Sequence, residues 1–159
     1  MADSFRPSCK NNIIQGVLLI KTIRSIASDI RTMLADDFPT VRFAAAGATR
    51  DQISREIRGI AAENTPAAVL SFQSVEYGEG HCVRRLRFSI FVLDRFSAGG
   101  DGKAEAVWGL ADTIQSIFPM GGRKVNGVFY LPESLSSAEA GEKIMPEHAA
   151  LLMSVLACE

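Results

Sequence analysis

Cysteine is scarce in this chain. Cys9, Cys82 and Cys158 are the three present, an odd number with no CxxC spacing. A disulfide framework is therefore not expected, and a reducing compartment fits best. Cys158, next to Glu159, is expected to be exposed by fraying. Histidine is scarcer still, with only His81 and His148. Two isolated histidines without a ligand motif do not make a zinc site. His81 neighbours Cys82, and adjacent residues on a strand point to opposite faces, so the two cannot turn toward one metal ion or reacting atom. His148 follows Pro146 and Glu147 in what reads as a loop. Both histidines are expected to be exposed.

Long apolar runs are missing too. The nearest is Ile13–Ile20, far too short to cross a bilayer and followed at once by Lys21 and Arg24. It has the length of a signal-peptide core, but no small-residue cleavage site follows and the helical periodicity runs on. We read it as structural, with the chain cytoplasmic and without membrane contact. Phosphate loops are absent: no glycine-rich stretch runs into Gly-Lys-Ser/Thr, and there is no GxGxxG. Ala98–Gly102 precedes a helix, but Asp101 would oppose a phosphate there. Gly121-Gly122 follows a helix and reads as its terminator. A surplus of either charge is also lacking. The net charge is −1, which gives no reason to expect a nucleic-acid binder, whose domain is normally basic.

What remains is ordinary globular material: 159 residues, 47% hydrophobic and 22% charged, enough for one domain with a core of its own. Residues 1–11 are polar, carry Pro7 and read as a loose tail, which leaves 12–159 as a single domain. Asn11 or Asn12 is a plausible N-cap. Leu19, Ile23, Ile26, Ile30, Met33 and Leu34 then recur at helical spacing, predicting an amphipathic helix over about 12–36 that stops before Pro39. A short strand at Val41–Phe43 follows. Thr49 and Gln52 resemble a capping box, opening a second helix with Ile53, Ile57 and Ile60 on one face. Asn64-Thr65-Pro66 ends it.

Two strands come next, 67–77 and 83–93, joined by Gly78–His81 as a hairpin. In the second, Leu86, Phe88, Ile90 and Val92 alternate with Arg85, Arg87 and Ser89, so one face is apolar and the other polar. A loop at Phe96–Gly102 precedes a third helix over 103–118. Val125–Leu131 reads as a strand, Pro132–Gly141 as a surface loop, and 149–157 as a closing strand in preference to a helix. The order α-β-α-β-β-α-β-β predicts an α+β domain. Its sheet is mixed, mostly antiparallel, with helices mainly on one side.

No catalytic group stands out. Glu133, Glu139, Glu142 and Glu147 lie in or beside the loop after Pro132 and read as solvated, since paired carboxylates need a cleft to do acid–base work. We therefore expect no enzyme, no cofactor and no metal. Arg84, Arg85 and Arg87 form the one notable cluster. They are a solvated strand face, or a basic strip meeting an acidic surface of a neighbouring subunit such as the region of Glu139 and Glu142, or the lining of a pore that holds nucleic acid. Charge is unevenly spread. Residues 1–95 carry 13 Lys and Arg against 10 Asp and Glu, a surplus of +3. Residues 96–159 carry 4 against 8, or −4. Such an asymmetry can attract copies of the chain to one another, and it also arises by chance.

The stretches "NTPAAVLSFQSVEYGEG" and "RRLRFSIFVLDRFSAGG", followed by an amphipathic helix containing Trp108, resemble the Mu-like phage tail proteins of the Gp-thirty-seven type and, more loosely, the phage tail-terminator family. Pro66, Ala67, Val69, Phe88, Phe91 and Val92 carry the likeness, over roughly residues 12–157. The resemblance implies a structural role without catalysis. The chain would be a tail-terminator or tail-completion subunit that self-associates into a ring on the tail tube and meets tail-tube and head-completion proteins. Nucleic acid would be present only as lumen content. It also implies residence in the bacterial host cytoplasm during assembly and in the virion tail afterwards. A bacterial α+β binding or adaptor domain without catalysis is the alternative.

Overall fold

The structure, a computed structural model, describes residues 21–44, 50–60, 64–78, 84–96, 99–138 and 148–159. Helix α1 spans Ile23–Ala35 because Ile26, Ile30 and Leu34 recur every fourth residue and bury one stripe completely. Thr22 caps it: the Thr22 backbone is extended, and its hydroxyl accepts a hydrogen bond from the Ser25 N–H at 3.0 Å. Strand β1 (Thr40–Ala44) follows, then helix α2 (Arg50–Arg58). Strands β2 (Ala67–Tyr77) and β3 (Arg84–Arg95) form the expected hairpin. Helix α3 (Gly102–Ile117) buries Leu110, Ile114 and Ile117. The chain ends in β4 (Arg123–Val125), β5 (Val128–Ser137) and β6 (His148–Cys158).

The six described strands form one sheet in the order β1-β2-β3-β6-β5-β4. Only β1 and β2 run parallel, joined by the α2 crossover; every other pair is antiparallel. The domain is thus α+β with a mixed, mostly antiparallel sheet. The inner face meets α1 and α3 in the main core, where Leu86, Phe88, Ile90 and Val92 of β3 lie beside Leu151, Met153, Val155 and Ala157 of β6. Helix α2 packs on the opposite, outer face, where Ile57 and Ile60 cover Ala67, Val69, Phe91, Leu93 and Ala150. Two of the three described helices therefore share one side. Each fully buried Leu, Ile or Phe contributes about 1.5–3 kcal/mol through the water it sheds.

Polar contacts close one end of the inner layer. The Glu159 carboxylate accepts from the Lys21 N–H at 2.9 Å and from Arg84 Nε at 2.7 Å, while Arg84 also donates to the Lys21 carbonyl. Lys21 Nζ pairs with Asp29 at 2.7 Å, and Asp29 accepts from Asn126 in the β4–β5 turn at 3.4 Å. The chain entering α1 is thereby tied to β3, to β6 and to that turn.

Several sequence expectations need correction. Lys21 and Thr22 are not helical, so no single helix runs over 12–36; the Thr22 hydroxyl and the Lys21 tether set the start at Ile23. Asn11, Asn12 and Leu19 lie outside the described residues, as do the 1–11 tail and Thr49 of the capping box. The strand read at Val125–Leu131 is split, because Asn126 and Gly127 both take positive φ (50° and 82°), the geometry of a two-residue hairpin turn. Pro132–Ser137 is not loop but the continuation of β5. Pro132 is accommodated because the register shifts between Pro132 and Ser134, and a bulge is where a strand can spare an N–H. His148 opens β6 opposite Arg95 and is only 5% exposed, so it is neither in a loop nor on the surface. Cys158 is half-buried within β6, paired across Arg85 and Phe129, and does not fray.

Gly122 shows how tightly the turn after α3 is built. Its φ is 88°, and a Cβ there would lie 2.1 Å from the Phe129 ring, so only glycine fits. Tyr130 is fully buried with its ring edge-on to Phe118, but its hydroxyl has no hydrogen-bond partner among the described residues. Burial, with the Asp29 and Glu159 carboxylates adding to it, pushes that phenol well above its ordinary pKa. Phe88→Ala is expected to cost about 3–5 kcal/mol through its cavity. Tyr130→Phe is expected to leave stability unchanged or raise it, because it removes a buried donor with no partner among the described residues. Denaturant midpoints of the two variants check both outcomes.

Candidate assembly surface

Because the period of a strand is two, β3 sorts its arginines onto different sides of the sheet. Arg85 and Arg87 share the outer face, as the alternation in the sequence predicts. Arg84 lies on the α1 side, held by Glu159 and Lys21. The three expected interface arginines are therefore not one strip. Glu139 and Glu142, the proposed acidic counterparts, lie outside the described residues, and so do Glu147, His81, Cys82 and Cys9.

Arg87 finds its carboxylates within its own chain. It bonds both oxygens of Glu133, from Nε at 2.8 Å and from Nη2 at 3.0 Å, and reaches Glu76 at 3.3 Å. The two parallel N–H···O bonds to Glu133 are the geometry that makes arginine–carboxylate pairs strong. Glu133 also accepts from the Ser154 hydroxyl at 3.0 Å. These contacts place Glu133 on the sheet, not in a solvated loop. The hydrogen bond from Arg87 holds its carboxyl below the usual range, and Ser154 adds to this. Arg85 is exposed, and among the described residues it has no ion-pair partner.

The register lays the outer face out in rows across the strands. Glu76, Arg85, Cys158, Phe129 and Lys124 form one row from β2 to β4. Ser74, Arg87, Leu156 and Leu131 form the next. Ser71, Ser89, Ser154 and Ser134 form a third, a line of serines over four strands. Beyond it lies the apolar end that α2 covers. Among the described residues no helix covers the first two rows, where Phe129 is 38% and Leu131 37% exposed. Burial pushes the Cys158 thiol up, so it is a poor thiolate source at neutral pH.

The sequence reading missed Lys124, Phe129, Leu131 and Leu156 as surface residues of one patch. A signal was present in the alternation of Phe129 and Leu131 with buried Val128 and Tyr130 within the strand read at Val125–Leu131, but the pairing with β6 that sets Leu156 and Lys124 beside them is not local.

Among the described residues, no three His, Cys, Asp or Glu side chains gather into a metal-holding group. No described helix is long and apolar enough to cross a membrane. Buried His148 stands at the start of β6 across from Arg95, with no nucleophile facing it in that pairing. The arrangement thus defines a mixed sheet face of charge and apolar contact. Neither the protein-family models nor the curated proteins compared with this chain match it.

Glu133 sets a pH dependence whose direction follows from linkage. A carboxyl with a depressed folded-state pKa contributes stability above its unfolded value, about 4.3, and loses that contribution as pH falls through the folded value. Glu133→Gln should therefore lower Tm by a constant amount above about pH 5. The gap to the native chain should narrow progressively below about pH 4.3. Thermal melts from neutral to acid pH check the shape.

Proposed function

We propose that the chain is a structural subunit of a phage or prophage tail, a tail-terminator or tail-completion protein that closes into a ring on the tail tube. The observation that carries the reading is the outer sheet face, which among the described residues no helix covers beyond the end that α2 occupies. There, Phe129 lies in one row between an exposed Arg85 and Lys124, with Leu131 and Leu156 in the next row, on a sheet whose other face meets the main core. A patch that is apolar at its centre and charged at its rim is the composition of a protein–protein contact. The sequence resemblance carried by Pro66–Val69 and Phe88–Val92 supplies the biological setting. The sheet and helices suit a rigid building block, and ring closure asks each subunit for two different complementary patches. In this role the ring works by shape and contact, capping a growing tube and presenting a surface to the head-completion proteins.

The test is the mass of the purified chain by light scattering after size exclusion, with electron microscopy of the peak. A closed ring is expected. Its population should fall when salt rises from about 0.1 M to about 1 M, which shortens the screening length from about 10 Å to about 3 Å. A monomer at every concentration and salt would overturn self-driven ring formation and favour a binding or adaptor domain.

A further inference from the structure

Helix α3 carries two stripes on opposite sides. At 100° per residue, buried Leu110, Ile114 and Ile117 fall within one narrow arc facing the sheet. Asp101, Glu105, Trp108, Asp112 and Gln115 fall within an arc of about 80° diametrically opposite. All five are exposed, and Trp108, the single tryptophan of the chain, is 64% exposed. Neither the Glu105 nor the Asp112 carboxylate has a hydrogen-bond or ion-pair partner among the described residues. An indole ringed by carboxylates on the outer side of a rigid helix is an uncommon thing to leave in water, since tryptophan heads the residues found at the centres of interfaces.

We infer that this stripe is the partner of the part of the outer sheet face that no described helix covers: α3 of one copy docks across β3, β6, β5 and β4 of the next. The inference rests on the ring reading and adds the identity of the contact. Charge and spacing both fit. Arg85 and Lys124 lie in the same row of the sheet, three strand spacings apart, about 14 Å. Glu105 and Asp112 stand seven residues apart on the helix, about 10 Å, a difference that the long cationic side chains span. Trp108 lies between the two acids as Phe129 and Cys158 lie between the two cations. An indole placed there covers the exposed Phe129 and Leu131. The helix crosses the strands, adding to the outer face the layer that α2 supplies only at the other end. The two patches are different surfaces of one chain, so the contact is head-to-tail and propagates into a closed ring or a filament.

The single tryptophan makes the contact visible. Over about three decades of concentration, light scattering gives the mass while intrinsic fluorescence reports on Trp108. The expected result is an emission maximum that moves to shorter wavelength in step with assembly and returns when salt disperses it. Trp108→Ala should weaken association about tenfold or more. The charge reversals Glu105→Arg with Asp112→Arg, or Arg85→Glu with Lys124→Glu, should each weaken it by a similar factor. All four reversals in one chain should restore association to within about threefold of the native chain. These positions are exposed, and circular dichroism of each variant confirms its fold. Assembly with an unmoved Trp108 emission, or folded reversals that fail to restore one another, would overturn this contact and leave the ring reading standing. A chain that stays monomeric with unmoved emission would overturn both.

Discussion

The antiparallel pairing of β3 with β6 is the constraint on which the remaining structure depends. It runs from Arg85 opposite Cys158 to Arg95 opposite His148, the longest register in the sheet. Because neighbouring residues on a strand face opposite ways, this one register decides which side chains meet α1 and α3 and which form the outer face. A slip of β3 by one residue would carry Phe88, Ile90 and Val92 outward and bring Arg87 and Ser89 into the core. Burying the Arg87 charge against Ile114 and Ile30 would cost far more than the apolar residues could return. The same register aligns the rows of the outer face, so core and surface are set together.

Electrostatics divide into two kinds. Arg84, Lys21, Asp29 and Glu159 are largely screened from water and hold chain segments in place at one end of the domain. Arg87, Glu133 and Glu76 are more exposed and tie β3 to its neighbour β2 and, across β6, to β5. An exposed pair contributes little by itself. The bidentate geometry and the shared Ser154 bond give this group more definition than an isolated surface pair has. The cations left over, Arg85 and Lys124, lie on the same face as the exposed apolar side chains.

The parts of the fold that were legible in the sequence are those where one face is apolar and the period is unbroken. Leu86–Val92 spells the alternation of β3, and Val107–Ile117 spells the periodicity of α3, so strand, helix and inward-facing residues could be read directly. The hairpin of β2 and β3, the strand character of β6 and the α+β class followed from these. Illegible stretches are those where a local signal competes with a distant partner. Ile14–Leu34 keeps a helical period across Thr22, but the Thr22 hydroxyl and the Glu159 carboxylate, far away in sequence, set the start of α1 at Ile23. Pro132 is a turn signal that a bulge opposite Val155 overrides. His148 sits in a polar context in sequence and is buried only because β6 pairs with β3. For the candidate surface, the outward direction of Arg85 and Arg87 was legible. Nothing local could show that Glu133 lies within reach of Arg87, since that depends on β5 and β3 both flanking β6.

The position of β6 in the chain has a consequence for synthesis. Residues 96–147 intervene between β3 and the strand that completes its central pairing. Until β6 emerges, β3 has β2 on one side only. Its other edge, with Phe88, Ile90, Phe91 and Val92 along it, is an open row of backbone donors and acceptors. Pairing across so many intervening residues is slow to close. A nascent chain therefore spends the interval with β1, β2 and β3 made and the apolar edge of β3 open, the kind of species that folding helpers bind and that crowded translation favours for aggregation.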